Sequence, residues 1–158
     1  MLLGGVFQAT GNASPATIAA KGRYMTDDLS RFAKRYGVPF AMNPHFPVNT
    51  LQLMRGAIGI QLRQPERFDA FLNAVFEALW VNRVNLNDPA TVATTLTAAG
   101  FDPAQVFALV NDVDIKAALK ANTEEAVSRG AFGAPTVFVG NTMFFGQDRL
   151  DFVREALA

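Results

Sequence analysis

The 158-residue sequence contains no cysteine, one histidine and one tryptophan. Without cysteine the chain can form no disulfide, no thiolate metal site and no cysteine nucleophile of its own. A single histidine without a cluster of carboxylates argues against a zinc site, and we expect no bound metal. Any thiol chemistry must therefore use the sulfur of a bound ligand.

Charge of one sign and long apolar runs are missing as well. Fourteen Lys and Arg balance fourteen Asp and Glu, so no basic field attracts nucleic acid. No apolar run approaches the roughly 18 residues of a membrane span, and the start, MLLGGVFQATG, lacks the basic region of a signal peptide. We expect a cytoplasmic protein that binds neither nucleic acid nor membrane.

What the sequence does contain is a clear β-hairpin pattern near its end. Two short apolar runs, at residues 136–139 and 142–145, are separated only by Gly140 and Asn141. A glycine-led two-residue loop between β-formers predicts a hairpin with a type II′ or I′ turn. Pro135 stands just before the first run, where a strand can begin without a backbone N–H.

Binding groups, rather than a known catalytic constellation, are the candidates for function. The peptide units beside Pro135 can pair with an extended peptide. Gln147 and Asp148 begin an amphipathic run to Leu157. N–H groups there can donate hydrogen bonds to a carboxylate, while Asp148 pairs with an amino group. Lys21 could hold a second carboxylate and Asn12 could bond nearby, although a solvated surface lysine is the commoner fate of a Lys. A short peptide with a charged amino-acid end and a distal carboxylate would satisfy these groups.

The middle of the chain, residues 14–129, predicts about six helices and no strand. Helix-start patterns occur at Ser14-Pro15, Asn49-Thr50, Pro65-Glu66, Asp88-Pro89, Asp102-Pro103 and Asp112. The apolar stripe Phe68, Phe71, Leu72, Val75, Phe76 and Leu79 predicts the clearest helix, and we expect these side chains to face the core. Residues 1–8 look like the tail of a strand. A helical block between strand elements is typical of an insertion in an α/β domain, which assigns residues 1–13 and 130–158 to the α/β portion and 14–129 to the insertion.

Three residues of the helical block are candidates for a substrate pocket: Phe46, Asn49 and Trp80. Trp80 ends the clearest helix, where packing in the core is the commoner role of a tryptophan. His45 lies beside Phe46 in a proline-rich loop, and without an Asp, Ser or Cys partner it is more often structural than catalytic.

Four segments together resemble a known family. They are LLGGVFQATGN at residues 2–12, KGRYM at 21–25, HFPVNT at 45–50 and FGAPTVFVGNTMFFGQDRLDFV at 132–153. They resemble the 2-hydroxychromene-2-carboxylate isomerases, which are relatives of the kappa-class glutathione transferases and the DsbA-like oxidoreductases. The resemblance implies a thioredoxin-like (DsbA-like) α/β fold with a large helical insertion, and a cis peptide bond before Pro135.

The resemblance also implies glutathione as the cofactor. Its cysteinyl backbone would pair beside Pro135 through Ala134, its γ-glutamyl end would lie at Gln147 and Asp148, and Asn12 and Lys21 would help to hold it. The bound thiolate would add to an unsaturated, aromatic-derived substrate, and rotation and elimination would give the other isomer. We expect a homodimer that works in the degradation of aromatic hydrocarbons.

One feature of the family is not found in these residues. Its members carry a serine, in a motif like SSPY on an N-terminal helix, that bonds the glutathione sulfur; nothing in residues 1–13 matches it. We therefore expect roughly 40 residues of strand and helix to be missing, assign no catalytic residue, and expect weak or no isomerase activity from these 158 residues alone. A kappa-like transferase or peroxidase, a DsbA-like dithiol oxidoreductase and a non-catalytic fragment remain as alternatives.

Overall fold

A computed structural model describes all residues, 1–158. Eight α-helices and one two-stranded antiparallel sheet follow in the order α1 (Leu3–Thr10), α2 (Ala19–Tyr36), α3 (Leu51–Arg63), α4 (Phe68–Trp80), α5 (Pro89–Ala98), α6 (Pro103–Asn111), α7 (Val113–Ser128), β1 (Thr136–Val139), β2 (Thr142–Phe145) and α8 (Leu150–Leu157). Short 3₁₀ turns, Pro15–Thr17, Pro65–Arg67 and Gln147–Arg149, precede α2, α4 and α8.

The chain forms two compact units. The hairpin unit comprises residues 1–14 and 118–158, and the helical unit comprises residues 15–117. The predicted assignment of residues 14–129 to a separate insertion domain is not decided by this division and stays a prediction. None of the helices combines the length and the apolar character that crossing a membrane requires.

Aspartate–proline pairs start two helices of the helical unit, as predicted. The Asp88 carboxylate accepts hydrogen bonds from the Ala90 and Thr91 N–H groups at the start of α5, and Asp102 accepts one from Ala104 at the start of α6. Two hydrogen bonds lower the pKa of Asp88: the one from the Thr91 hydroxyl has the larger effect, and the one from the Ala90 N–H adds to it. These caps satisfy N–H groups that have no partner within the helix.

The core of the helical unit is built from α3, α4, α5 and α6. Its buried members are Leu53, Ala57, Ile60, Phe71, Val75, Ala78, Leu79, Leu86, Val92, Leu96, Phe101 and Val106. The Phe71 ring meets the Phe101 ring edge-on at 5.6 Å. The prediction that Phe76 belongs to this core is wrong, because Phe76 is 60% exposed. α4 turns the Phe71 side of its apolar stripe inward, and Phe76 lies on the opposite edge of that stripe.

Two glycines allow α3 to lie close to its neighbours. A Cβ atom at Gly59 would lie 2.8 Å from the Leu109 Cβ atom of α6, and one at Gly56 would lie 3.0 Å from the Phe71 ring. Both glycines are therefore required by close packing, although glycine weakens an isolated helix.

The hairpin of the hairpin unit agrees with its prediction residue for residue. Thr136 pairs with Phe145, and Val139 pairs with Thr142 next to the turn. Gly140 has a positive φ of 56° and Asn141 does not, which matches a type II′ turn rather than type I′, where both turn residues are left-handed.

The predicted strand over residues 1–8 is wrong, because residues 3–10 form α1. Val6 is fully buried, and the Leu2 N–H donates to the Thr123 hydroxyl of α7 at 2.8 Å. A Cβ atom at Gly5 would lie 3.2 Å from the Thr123 methyl group, so glycine lets α1 approach α7. An apolar run of this length is compatible with either a strand or a short helix, and here this contact favours the helix.

Gly59→Ala should destabilise the fold and Gly4→Ala should not. Nothing lies within 4 Å of a Cβ atom at Gly4. Both changes gain helix propensity, roughly 1 kcal/mol, but only the first forces Leu109 aside, at a cost of about 1–3 kcal/mol. Urea denaturation should therefore give Gly59→Ala the lower free energy of unfolding of the two. Equal values would contradict a close approach of α3 and α6 at Gly59.

Candidate functional site

The corner where the hairpin opens contains the peptide bond that the family resemblance singles out. The Ala134–Pro135 bond is cis, as expected, and both residues are exposed. The Gly146 N–H donates to the Pro135 carbonyl at 3.0 Å, which closes the open end of the hairpin. The N–H and C=O of Ala134 take part in none of the backbone hydrogen bonds of the hairpin or its flanking turns. Ala134 therefore presents an exposed peptide unit with both groups available to an extended partner.

The loop before Ala134 is fixed by aromatic packing. The Phe132 and Phe145 rings lie 4.5 Å apart, and a Cβ atom at Gly133 would lie 2.9 Å from the Phe145 ring. The Thr136 hydroxyl donates to the Gly133 carbonyl at 2.8 Å. These contacts hold the backbone that leads into Ala134.

The structure brings Asn12 to the same loop. Its Nδ2 donates to the Phe132 carbonyl at 2.8 Å, and its Oδ1 accepts from the Ala13 N–H at 2.8 Å. The side chain therefore orients the loop in front of Ala134. Whether it also contacts glutathione stays a prediction.

Gln147 and Asp148 lie in the turn that follows the hairpin. That turn is a 3₁₀ turn, and the α-helix α8 begins at Leu150. The helix therefore starts three residues after the predicted start at Gln147. Gly146 has a φ of 105°, and a Cβ atom there would lie 2.5 Å from Asp148 Oδ1. The Asp148 carboxylate thus lies over Gly146, whose N–H bonds Pro135. Asp148 and Pro135 occupy the same corner of the hairpin unit.

Asp148 has a partner that the sequence did not indicate. Its Oδ2 lies 2.6 Å from Arg149 Nη1, and the two side chains are 44% and 48% exposed. A pair this exposed contributes little to stability. It does place a carboxylate and a guanidinium side by side at the surface, within reach of a ligand that carries both charges.

Lys21 belongs to the helical unit. It is exposed on α2 and lines an open cleft of about 480 Å³ with Pro15, Ala20, Tyr24, Met25 and Asp28. Its predicted contact with glutathione stays a prediction.

Two of the three predicted pocket residues come together. Phe46 and Trp80 have ring centroids 5.8 Å apart, and the Phe40 ring stacks with Trp80 at 5.9 Å. Each of the three side chains is half-buried. Asn49 has a different setting. Its backbone N–H donates to Asn87 Oδ1, and its own Oδ1 accepts from the Leu51 N–H. It lines a separate cavity of about 90 Å³. The structure therefore supports an aromatic surface at Phe46 and Trp80, whereas the Asn49 side chain bonds the backbone at the start of α3.

The sequence and the fold of this chain resemble those of known proteins. The family model described as the DSBA-like thioredoxin domain matches residues 1–158. The chain belongs to this DSBA-like family. The predicted thioredoxin-like fold with a helical block is thereby confirmed.

Solved and curated members of the DSBA-like family include proteins of two named activities. A solved 2-hydroxychromene-2-carboxylate isomerase matches with a TM-score of 0.82 and 26% identity, covering 99% of this chain and 76% of that one. The curated isomerase of Pseudomonas putida is 29% identical over 152 residues, 94% of this chain and 72% of that protein. Glutathione S-transferase kappa 1 of Rattus norvegicus is 26% identical over 162 residues, 95% of this chain and 72% of that protein.

Sequence patterns missed two residues of the hairpin corner, Arg149 and Gly133, and one ring beside Trp80, that of Phe40. Arg149 follows Asp148 directly, so a charge pair between neighbours was a possible signal. Gly133 and Phe40 act through contacts with Phe145 and Trp80, residues that are distant in the chain. No local pattern reports such contacts.

Gly146→Ala should cost more stability than Gly140→Ala. Both glycines have positive φ values. An alanine at Gly140 costs about 1–2 kcal/mol from left-handed backbone strain, whereas Gly146, with φ 105° and ψ 147°, lies close to a region that essentially only glycine occupies, where the strain is about 1–3 kcal/mol. A Cβ atom at Gly140 meets nothing within 4 Å, whereas one at Gly146 meets the Asp148 carboxylate. Thermal unfolding of the two variants should therefore give the lower midpoint for Gly146→Ala. A lower midpoint for Gly140→Ala would contradict the position of Asp148 over Gly146.

Proposed function

We propose that this chain binds glutathione at the hairpin corner and is a glutathione-dependent cis–trans isomerase of the 2-hydroxychromene-2-carboxylate type, with impaired activity because residues 1–13 contain no serine to bond the thiol. The relatives named as isomerases and glutathione transferases support an enzyme of this general kind. The observation that carries the finer proposal is the corner itself. There, an exposed Ala134 with both peptide groups available lies beside a turn that displays an Asp–Arg pair.

The groups present at the corner fit the chemistry of glutathione. The N–H and C=O of Ala134 can pair with the cysteinyl peptide unit as a strand pairs with its neighbour. The γ-glutamyl end of glutathione carries an ammonium and a carboxylate on one carbon. Asp148 and Arg149, paired at 2.6 Å, offer the opposite charges, and charge-assisted hydrogen bonds are the stronger class. Gln147, in the same turn, would hold this end as well.

Bound glutathione would supply the thiolate that this cysteine-free chain lacks. The residues of the chain would bind and orient the glutathione molecule. Ala134 fixes the peptide unit, Asn12 keeps the loop in front of Ala134 in place through its bond to Phe132, and Asp148 with Arg149 holds the glutamyl end. Lys21 is proposed to bind the distal carboxylate.

The acceptor is proposed to be an unsaturated carboxylate derived from an aromatic compound. Phe46 and Trp80 offer half-buried rings in contact with each other, and such rings favour stacking with a planar aromatic group. Exclusion of water along these rings would favour the aromatic part of the acceptor over small polar molecules.

Asp148→Asn should weaken glutathione binding, because it removes the negative charge that faces the ammonium group. The loss of one charge-assisted hydrogen bond, roughly 1.5–3 kcal/mol, raises the dissociation constant about tenfold to a hundredfold. Isothermal titration calorimetry of the two proteins with glutathione measures this change.

Asp151→Asn is the matched control. Asp151 lies at the start of α8, 83% exposed, and pairs with Arg154 at 3.2 Å. Its replacement should leave glutathione affinity unchanged, and cysteinylglycine, which lacks the glutamyl end, should not distinguish Asp148→Asn from wild type. Equal loss of affinity in both variants, or none in Asp148→Asn, would remove Asp148 from the site.

A kappa-like glutathione transferase is the second candidate, since relatives of that name match over a similar share of the chain. The two activities differ in the fate of the thiol. An isomerase returns the thiol after each turnover, whereas a transferase consumes one thiol for each acceptor converted.

Free thiol should therefore stay constant while a cis-configured aromatic enone carboxylate is converted to its trans isomer. Thiol titration with an aromatic disulfide, alongside the change in ultraviolet absorbance, measures both quantities in one reaction. Stoichiometric loss of thiol in the presence of enzyme would instead assign the transferase activity. Glutathione and substrate without enzyme provide the background rate.

A further inference from the structure

The C-terminal end of α4 is completed by a distant part of the chain. The last four carbonyls of an α-helix have no donor within the helix. At the end of α4, the Glu77 carbonyl accepts from the Val81 and Asn82 N–H groups, and the Ala78 carbonyl accepts from the Val84 N–H at 2.8 Å. The carbonyls of Leu79 and Trp80 receive their hydrogen bonds from residues 41 and 43 instead.

Asn43 makes most of this connection. Its Nδ2 donates to the Leu79 carbonyl at 3.0 Å and to the Val84 carbonyl at 2.9 Å. Its Oδ1 accepts from the His45 N–H at 2.8 Å. Asn43 is 2% exposed and is the one polar side chain that the fold buries. Both donors of the amide are therefore used to join the loop to the end of α4 and the turn after it, while its oxygen bonds the loop itself.

The loop that Asn43 holds carries two aromatic rings that contact Trp80. Phe40 and Phe46 flank Asn43 in the sequence, and both rings contact Trp80, the last residue of α4. The Ala41 N–H donates to the Trp80 carbonyl at 2.6 Å, and the Phe46 N–H donates to the Asn43 carbonyl at 3.1 Å. The relative positions of the three rings thus depend on the amide of Asn43.

We propose that Asn43 is a positioning residue for a ring-binding surface formed by Phe40, Phe46 and Trp80, which takes a planar aromatic acceptor. The inference rests on the proposed function, in which Phe46 and Trp80 receive the aromatic part of the substrate. It adds Phe40 as the third ring and Asn43 as the group that sets the spacing of all three. Leaving the Leu79 and Val84 carbonyls without donors would let the loop move away from α4, because buried acceptors without partners are costly.

Trp80 is the only tryptophan in the chain, so intrinsic fluorescence excited at long wavelength reports on this surface alone. Cinnamate, a phenyl ring conjugated to an unsaturated carboxylate, is the probe. Titration of the full chain with cinnamate should change the Trp80 emission and give a dissociation constant for the surface.

Asn43→Asp is the test variant, because it keeps the shape and the acceptor of the side chain and removes both donors. The Trp80 emission should shift to longer wavelength, and the cinnamate dissociation constant should rise about tenfold or more. Asn43→Gln, which retains the amide, should recover part of the affinity. Asn111→Asp is the matched control: its Nδ2 donates to the Phe107 carbonyl at 3.1 Å on the exposed face of α6, and it should match wild type.

A red shift of the Asn43→Asp emission with an unchanged cinnamate constant would make Asn43 a purely structural residue and overturn the proposal. Far-ultraviolet circular dichroism checks that each variant is folded. If Asn43→Asp does not fold, Phe40→Leu replaces it, and wild-type cinnamate affinity in that variant would overturn the proposal. If cinnamate leaves the wild-type emission unchanged, the ring surface is refuted, whereas calorimetry with glutathione still decides the proposed function separately.

Discussion

The hydrogen bond from the Gly146 N–H to the Pro135 carbonyl, 3.0 Å long, is the interaction on which the candidate site depends. With Val139 opposite Thr142, alternation along the ladder makes residues 135 and 146 a pair that would normally exchange two hydrogen bonds. Pro135 has no N–H, so one bond remains. It ends the ladder there, leaves the Ala134 peptide unit outside it, and starts the turn that carries Asp148.

The same requirement, that buried backbone groups find partners, shapes the helical unit. There it acts at the end of α4, where the loop before α3 supplies donors that the helix lacks. In the hairpin unit a missing donor leaves a peptide unit open, and in the helical unit missing donors recruit a loop. The features of interest in both units thus follow from where regular hydrogen bonding stops, because a backbone group outside a helix or strand is left to bond solvent, a ligand or another part of the chain.

The parts of the fold that the sequence predicted are those with local causes. The hairpin was correct to the residue because Gly140-Asn141 and the flanking β-formers determine it between them. The helix starts at Asp88 and Asp102 were correct because a capping side chain bonds N–H groups two or three residues away. α1 was mistaken for a strand because its support comes from Thr123, more than a hundred residues later. The contacts of Phe46 and Asn43 with α4 also join distant parts of the chain. Sequence patterns could therefore place Phe46 and Trp80 in one pocket only as a hypothesis, and they did not predict the hydrogen bonds of Asn43.

Relatives with two different names, isomerase and transferase, match this chain at 26–29% identity. In the proposed function both activities use bound glutathione, so the groups that hold it should be the same in either case. The hairpin corner is fixed by contacts of its loop with Asn12 and with the Phe145 ring, and by the hydrogen bond from Gly146 to Pro135. What must differ between the activities is how an acceptor is held. The aromatic surface depends on a loop fixed mainly by one amide, and a few substitutions in residues 40–47 would change its shape without disturbing the core beneath it. Selection for a new acceptor would therefore act on that loop more readily than on the hairpin corner.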